Sequence, residues 1–598
     1  VKHSASTRIA QLRAWMCTHA LDALIVTSAD PHLSEYLPEH WAFRQWLSGF
    51  VGSAGTLVVT DQHARLWTDA RYWVQAQTEL ADSGIALMRA GAIEVPTVSL
   101  WLAETLPRGA RVGIDGRTLS LTQHSHWSSD LDNAGLALDT NIDPASALWQ
   151  DRPTLPCQTI WPHTAPYVCR SRQDNLHAVR QAMQAHAAQW HWLSALDDIA
   201  WLFNLRGSDI AYNPVFLSYA LIGMDSAQLF VQAEALDAQT AQALRQDGVH
   251  IEDYTRASAA LQAVAEDQTI LIDPARTTIH AWAQMQHLRT VHTLNPSQRL
   301  KSCKTNAELA HIRHTMEADG AALCEFFAWL EDALARGVRV TEVDVDTRLI
   351  EARARRPGFI SPSFPTIAAF NANAAMPHYR ATEQSHAVIA GDGLLLIDSG
   401  GQYQGGTTDI TRMVAVGQPS AAMRRDCTVV LQGMIALSQL MFPQGVSAGV
   451  LDAVARAPIW RSGADYGHGT GHGVGYVLNV HEGPQSISHR TANHPDTGMQ
   501  PGMVTSNEPG LYRAGQWGVR IENLLANVAA QSSDAFGAFL AFETLTLCPI
   551  DTRCLDVAQL SAGERDWLNT YHATVRTRLA PHVHDVALTW LIQRTQAV

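Results

Sequence analysis

The chain has 598 residues, 46% of them hydrophobic and 17% charged, which is too much for one core and enough for three or four. Its net charge of −14, with no run of Lys or Arg, excludes a basic phosphate-binding face, so nucleic acid is not expected as a partner. No stretch reaches the length of a membrane span, the start carries no basic-then-apolar signal, and eight scattered cysteines without a CxxC read as reduced thiols of a cytoplasmic protein.

Residues 7–20 place apolar side chains at helical spacing. Residues 23–26 and 56–60 read as short apolar strands, and the stretch 112–118 ends in Ile114-Asp115-Gly116-Arg117-Thr118. The same order then recurs. A helix over 176–188 and strands over 192–194 and 228–231 lead to Ile272-Asp273-Pro274-Ala275-Arg276-Thr277. This repetition predicts two related α/β domains, the product of an internal duplication, over 1–147 and 148–303, with the Pro-rich segment 151–166 near their joint. The second boundary falls near 296–304. There Thr305-Asn306-Ala307-Glu308 fits a capping box that opens a long amphipathic helix through 334. The third domain, 304–598, holds the densest His, Gly and carboxylate motifs. It closes with a strand-rich piece over 533–547 and an extension from about 549 to 598. The end of that extension, 560–598, reads as helical around Trp567, Leu568, Tyr571, Trp590 and Leu591, as a cap or an oligomer contact.

Within the third domain, the apolar run 394–397 reads as a buried strand closed by Asp398. After Gly400, Gly401, Gly405 and Gly406, the β-branched run 407–411 reads as its antiparallel partner. Such a hairpin points Asp398 and Asp409 at one place. Two carboxylates that close repel, unless a cation lies between them or one takes a proton. On this stretch alone, two turn aspartates facing water is an equal reading.

Four more motifs follow the hairpin. The stretch 466–474 sets His468 and His472 among glycines, which let backbone and substrate approach closely. Asn479-Val480-His481-Glu482-Gly483-Pro484 places His481 at a turn, Ser506-Asn507-Glu508-Pro509-Gly510 places Glu508 just before a Pro-Gly turn, and Gly518-Val519-Arg520-Ile521-Glu522 places Glu522 on a strand. His378 lies upstream, between Pro377 and Tyr379. Singly, each has a plainer reading. A loop histidine is satisfied by hydrogen bonds, Glu508 sits at a helix start or in solvent, and Glu522 pairs with Arg520 or Arg412. The Gly-rich loop is neither GxGxxG nor a P-loop. Gly445-Val446-Ser447-Ala448-Gly449 matches the GxSxG of serine hydrolases, which needs a strand before the serine. Here 429–441 reads as helix, and Ser447 as the N-cap of a helix over 450–455.

The ordered set Asp398, Asp409, His472, Glu508 and Glu522 resembles the metal ligands of the pita-bread metallopeptidases. The words HGTGHGVG, NVHEGP, SNEPGLY and GVRIEN look like the Xaa-Pro aminopeptidase branch of that family, and the resemblance extends over the two leading domains and the tail. It implies an α/β and α+β multidomain fold, with two creatinase-like α/β domains followed by a pita-bread catalytic domain in a cytoplasmic homodimer. It implies two divalent ions. Four carboxylates and one imidazole suit Mn²⁺, and Zn²⁺ or Co²⁺ fits the same ligands. By resemblance Asp398 holds one ion, His472 and Glu508 the other, and Asp409 and Glu522 bridge. The implied reaction is attack by a shared hydroxide on the first carbonyl of a peptide with proline second. Glu508 takes the proton, His481 stabilises the oxyanion, His378 holds or protonates the leaving side, and His468 lines the channel. Phe364 and Tyr379 are the candidates for the proline pocket. Arg71 resembles a first-domain arginine that closes over the substrate, a structural salt bridge being its other reading. The runner-up is a prolidase restricted to Xaa-Pro dipeptides. From another class comes a non-catalytic pita-bread peptide-binding module, against which the complete ligand set speaks.

Overall fold

The strand Ala23–Thr27 is apolar and buried through its first four residues, as a strand with both faces covered requires. In the computed structural model, which describes residues 4–491, 497–531 and 534–598, this strand lies inside a six-stranded sheet. The order across that sheet is Ala86–Arg89, Ala64–Thr68, Thr56–Thr60, Ala23–Thr27, Arg111–Ile114, Ala137–Asp139. Ala23–Thr27 pairs antiparallel with Thr56–Thr60, which pairs antiparallel with Ala64–Thr68; the other three pairings are parallel. A second sheet repeats the pattern through Val249–Asp253, Ala227–Val231, Tyr219–Gly223, Trp190–Leu193, Thr269–Ile272 and Arg289–His292. The directions agree pair for pair, which is the duplication in structural form. Corresponding strands end on Asp115 and Asp273, and each carboxylate accepts the backbone N–H two residues on, from Arg117 and Ala275, both at 2.9 Å. Both sheets belong to one compact unit, residues 1–163 with 170–297.

The other unit comprises residues 164–169 and 298–598. The Thr305–Glu308 capping box forms, and the helix Asn306–Ala335 follows it with Leu309, Ile312, Met316 and Leu330 buried. These pack with Leu394–Ile397 and with Leu568, Leu579 and Leu591 of the tail in one core. Each fully buried leucine of that set contributes about 1.5–3 kcal/mol relative to exposure. Gly393–Ser399 is the middle of an antiparallel three-stranded sheet, flanked by Ile367–Phe370 and Ile410–Val416. A second sheet runs Met441–Pro443, Phe539–Thr544, Asn523–Ala530, Val504–Asn507. The tail is helical over Ala562–Leu579 and Asp585–Arg594, as its apolar spacing predicts. All eight cysteines are free, and no described helix is long and apolar enough to cross a membrane.

Two local expectations are corrected. The partner of Gly393–Ser399 is Ile410–Val416 rather than 407–411, with Asp398 opposite Thr411. Between them, Gly401–Tyr403 and Gly406–Thr407 form a separate arm paired with Phe359–Pro362. The threonines explain the difference. The Thr407 hydroxyl donates to Gln402 Oε1 at 2.7 Å, and Thr408 Oγ1 accepts the Gly401 N–H at 2.9 Å, so they tie the two sides of the arm to each other. Likewise the helix ahead of Ser447 ends at Ser438, and the short strand Met441–Pro443 intervenes. Ser447 stands at the head of the helix Ala448–Arg461, but its side chain makes no cap bond.

Candidate metal centre

Each of the five proposed ligands sits at or beside a strand end. Asp398 is the sixth residue of Gly393–Ser399, and Asp409 directly precedes Ile410–Val416. His472 lies in the two-residue strand Gly471–His472, Glu508 directly follows Val504–Asn507, and Glu522, expected on a strand, lies instead in the break between Trp517–Arg520 and Asn523–Ala530. Cross-links fix these ends to one another. The Glu522 N–H donates to Thr411 O at 3.2 Å and the Glu508 N–H to Thr470 O at 2.8 Å, while the His472 N–H donates to Ser506 Oγ at 3.0 Å. The glycines around His472 permit this crowding. A Cβ on Gly471 would lie 1.9 Å from Ser506 O, and one on Gly473 would lie 2.0 Å from Glu482 O.

The side chains converge. Ligand atoms of Asp409, His472 and Glu522 all lie within 4.8 Å of one another. His472 Nε2 is 3.4 Å from Asp409 Oδ2 and 3.4 Å from Glu508 Oε1, and its Nδ1 faces Gly473 O at 2.9 Å, which points Nε2 into the cluster. Asp398 gives Oδ2 to Arg520 Nη2 at 2.6 Å, while its Oδ1 is buried with no hydrogen-bond partner. A buried carboxylate oxygen left bare is costly unless a cation meets it. Thr411 Oγ1 donates to Glu522 Oε2 at 2.8 Å and Ser506 Oγ to Glu508 Oε1 at 3.1 Å, so both glutamates are held by hydroxyls.

The electrostatics point the same way. Burial lifts the Asp398 carboxyl to about 7; Arg520 pulls it down, and Asp409 and Glu508 push it up again. Burial, then the charges of Asp409, Glu508 and Asp398, raise Glu522 well above the ordinary glutamate range. Burial raises Glu508 too, against His472 and Arg520. Burial alone would lower His472, but its bond to Asp409 and the charges of Glu508 and Asp409 outweigh it and raise the imidazole to about 9. Four acids crowded around one imidazole and one guanidinium are short of positive charge. Two divalent ions balance four carboxylates, and an oxygen-rich set with one nitrogen suits them.

Around this cluster the His481 ring meets the His472 ring at 4.3 Å between centroids, nearly perpendicular. His468 Nε2 bonds the Tyr512 hydroxyl at 2.8 Å, and that hydroxyl accepts from Arg520 Nη1 at 2.7 Å. A continuous chain thus runs His468–Tyr512–Arg520–Asp398. His378 is half-buried and follows Pro377, whose carbonyl accepts from Arg520 Nη2 at 3.3 Å. Phe364 is buried in the loop between Phe359–Pro362 and Ile367–Phe370. The Tyr379 hydroxyl donates to Glu342 Oε2 at 2.8 Å and its ring joins the core. Arg71 lies in the first unit and grips Asp69 through Nε–Oδ1 and Nη2–Oδ2 contacts, both 2.8 Å. Sequence reading passed over Arg520, Tyr512, Thr411 and Ser506 as parts of the site. All four stand inside or beside the motif words, and a cluster of four acids calls for a nearby arginine.

The loop that carries His481 is anchored by charge. The Glu482 carboxylate meets Lys304 Nζ at 2.5 Å and Lys301 Nζ at 3.3 Å, and all three side chains are buried. Its N–H donates to Gly473 O at 2.8 Å, which ties the loop beside His472. Glu482→Gln removes the carboxylate charge that these two buried ammonium groups share. We expect about 3–5 kcal/mol lower stability, the scale for breaking a buried pair on one side, read from urea unfolding.

Fold and cluster together define a metal-dependent hydrolase. The sequence model of metallopeptidase family M24 matches residues 310–527, and that of its C-terminal region matches 538–598. Models of the creatinase/prolidase N-terminal domain match residues 8–146 and 151–308. Aminopeptidase P2 of Arabidopsis thaliana is 39% identical, over 96% of this chain and 86% of its own length. A probable Xaa-Pro aminopeptidase P of Pyricularia oryzae is 37% identical over 99% of each chain. The crystal structure of X-prolyl aminopeptidase from Caenorhabditis elegans, described as a cytosolic enzyme with a di-nuclear active site, covers 100% of both chains at 32% identity with a TM-score of 0.95. The chain belongs to metallopeptidase family M24, in its Xaa-Pro aminopeptidase branch.

Proposed function

We propose that this enzyme removes the N-terminal residue from peptides with proline in the second position. In this reading Asp398, Asp409, His472, Glu508 and Glu522 hold two divalent ions, Mn²⁺ in the native state. The convergence of these five side chains, with Asp398 Oδ1 bare, is the observation that carries it. When bound, such an ion pair supplies Lewis-acid polarisation and an acidified water. The chain's own residues do the rest. The Glu508 carboxylate accepts the proton of the attacking water. His481, against the His472 ring, donates to the oxyanion that develops on the first carbonyl. An Xaa-Pro amide has no N–H and a fixed φ. Its departing proline nitrogen needs a proton, which we assign to the side of His378. His468, locked through Tyr512 to Arg520, lines the substrate channel. Phe364, Tyr379 and Arg71 remain our proposals for substrate contact. Cytoplasmic residence and a homodimer complete the proposal; Met441, Val450 and Trp460 leave large apolar surface on the catalytic unit to be covered.

Digestion of Arg-Pro-Pro-type peptides, read by mass spectrometry with and without Mn²⁺, tests the reading. Loss of the first residue alone, dependent on metal, is expected. Hydrolysis of Xaa-Pro dipeptides with Xaa-Pro-Yaa left intact would make the enzyme a prolidase. No transition metal by elemental analysis, and no rescue by added Mn²⁺, would remove catalysis altogether.

The pKa shifts give a pH prediction. In the metal-free protein Asp398 is raised to about 7 from an ordinary 3.8, and His472 to about 9 from 6.5. Groups raised in the folded state contribute stability that is full below the ordinary value and lost as pH climbs through the raised one. The metal-free protein should therefore lose stability from weakly acidic pH towards pH 9. Metal ligation needs both groups deprotonated, so metal affinity should rise over the same range. We expect the gain in Tm on adding Mn²⁺ to increase with pH. Calorimetry in two buffers at pH 7 should show protons released on binding. A metal-induced gain that shrinks with pH would refute the assignment.

A further inference from the structure

Arg412 sits next to the ligand cluster and is buried, yet every acceptor it holds is neutral. The strand Ile410–Val416 alternates its faces, so Thr411 turns to the ligands and Arg412 turns away. Arg412 Nη1 donates to Thr411 O at 2.9 Å and to Glu522 O at 2.6 Å. These are the backbone carbonyls of the two residues whose side chains bond each other at 2.8 Å within the cluster. Arg412 Nη2 donates to Asn523 Oδ1 at 2.8 Å, to Cys548 O at 2.9 Å and to the Tyr571 hydroxyl at 2.8 Å, and Nε donates to Pro549 O at 3.1 Å. Three of the six acceptors thus come from beyond residue 538, in the C-terminal region.

Tyr571 is built for this contact. It lies on the helix Ala562–Leu579, buried, with Trp567 stacked on its ring at 5.3 Å and 8°. Its hydroxyl takes Arg412 on one side and faces Thr546 O at 3.0 Å and Cys548 O at 2.9 Å on the other. It donates its one hydrogen there and accepts from the guanidinium. A buried guanidinium without a carboxylate is expensive, and it persists only if all its N–H groups are used. Here the C-terminal region completes that set.

We infer that Arg412 and Tyr571 are positioning residues through which the C-terminal region sets the metal centre. Arg412, held in turn by Tyr571, staples the carbonyls of Thr411 and Glu522 and so fixes the Glu522 carboxylate. The inference rests on the proposed role of Glu522 as a ligand. A merely packing role for the tail predicts something different, because it ties metal affinity to overall stability.

Three variants of the full chain separate the readings. Tyr571→Phe keeps the ring and its stacking and removes only the hydroxyl. Arg412→Lys keeps the charge and removes the fork. Leu568→Ala opens a cavity on the same helix, at a fully buried position that makes no bond to Arg412. Mn²⁺ affinity is measured by competition with a chromogenic chelator, beside Tm and peptide kinetics. Tyr571→Phe and Arg412→Lys should each bind Mn²⁺ about 10-fold or more weakly, the scale for partners that orient a ligand. Their kcat should recover as Mn²⁺ is raised, with KM for the peptide unchanged. Leu568→Ala should lower Tm and keep the affinity. Wild-type affinity in Tyr571→Phe, or an equal loss in Leu568→Ala, overturns the inference. Glu522→Gln tests the foundation separately: if it retains two equivalents of metal, the ligand assignment fails and the clamp fails with it.

Discussion

Glu508→Gln is expected to cut kcat by about 10²–10⁴-fold at saturating metal, the range for losing a general base. The substitution keeps volume and removes only the ability to take a proton. The surroundings should tolerate it. The Glu508 N–H is fixed to Thr470 O at 2.8 Å, and Oε1 accepts Ser506 Oγ at 3.1 Å, a bond an amide oxygen also accepts. The wild-type carboxylate is a base that can hold the proton of the attacking water. An amide has no such basicity. One ligand charge is also lost, so metal affinity should fall, and kcat must be read with metal in excess and content measured on the same sample. Tm of the metal-loaded variant should stay close to wild type. Turnover near the wild-type rate in a metal-replete Glu508→Gln protein would show that another group takes the proton.

What was readable in the sequence was what is local. The capping box at Thr305–Glu308 occupies a few consecutive residues and formed where they predicted, and the words around His472, Glu508 and Glu522 are equally short runs. The duplication was legible because the same strand-and-turn wording occurs twice. What escaped depends on partners far apart in the chain. The Arg520–Asp398 pair spans 122 residues and the Lys304–Glu482 pair 178. No spacing rule links such positions, and only the charge balance hinted at them. The arm at 400–409 escaped for a different reason. Thr407 does lie in a strand, but it pairs with Gln402 inside the arm, and Thr408 bonds Gly401, so the run folds back on its own neighbours before Ile410 joins Gly393–Ser399. The three-residue strand Met441–Pro443 is too short to show against the helical pattern before it.

His472→Ala and His481→Ala should fail in different ways, although the two rings touch at 4.3 Å. His472 turns Nε2 towards Asp409 and Glu508 at 3.4 Å each, and Gly473 O fixes its other nitrogen. It is the one nitrogen in an otherwise oxygen-bearing set. Its loss should release metal from its site, because one imidazole among few ligands is hard to replace. His481 borders the cluster, on the loop whose next residue, Glu482, is locked by Lys301 and Lys304. Its replacement should leave both metals and the Tm near wild type, since the ion pairs of Glu482 anchor the loop. The rate should still fall by about 10²–10³-fold, the scale for removing one oxyanion donor. The loss should appear in kcat more than in KM, because the interaction forms as charge develops on the carbonyl. If His481 instead only caps its turn, His481→Ala would lower Tm and leave kcat nearly intact. Metal content, Tm and kcat on the two purified variants decide between these outcomes. Metal loss in His481→Ala with retention in His472→Ala would reverse the roles.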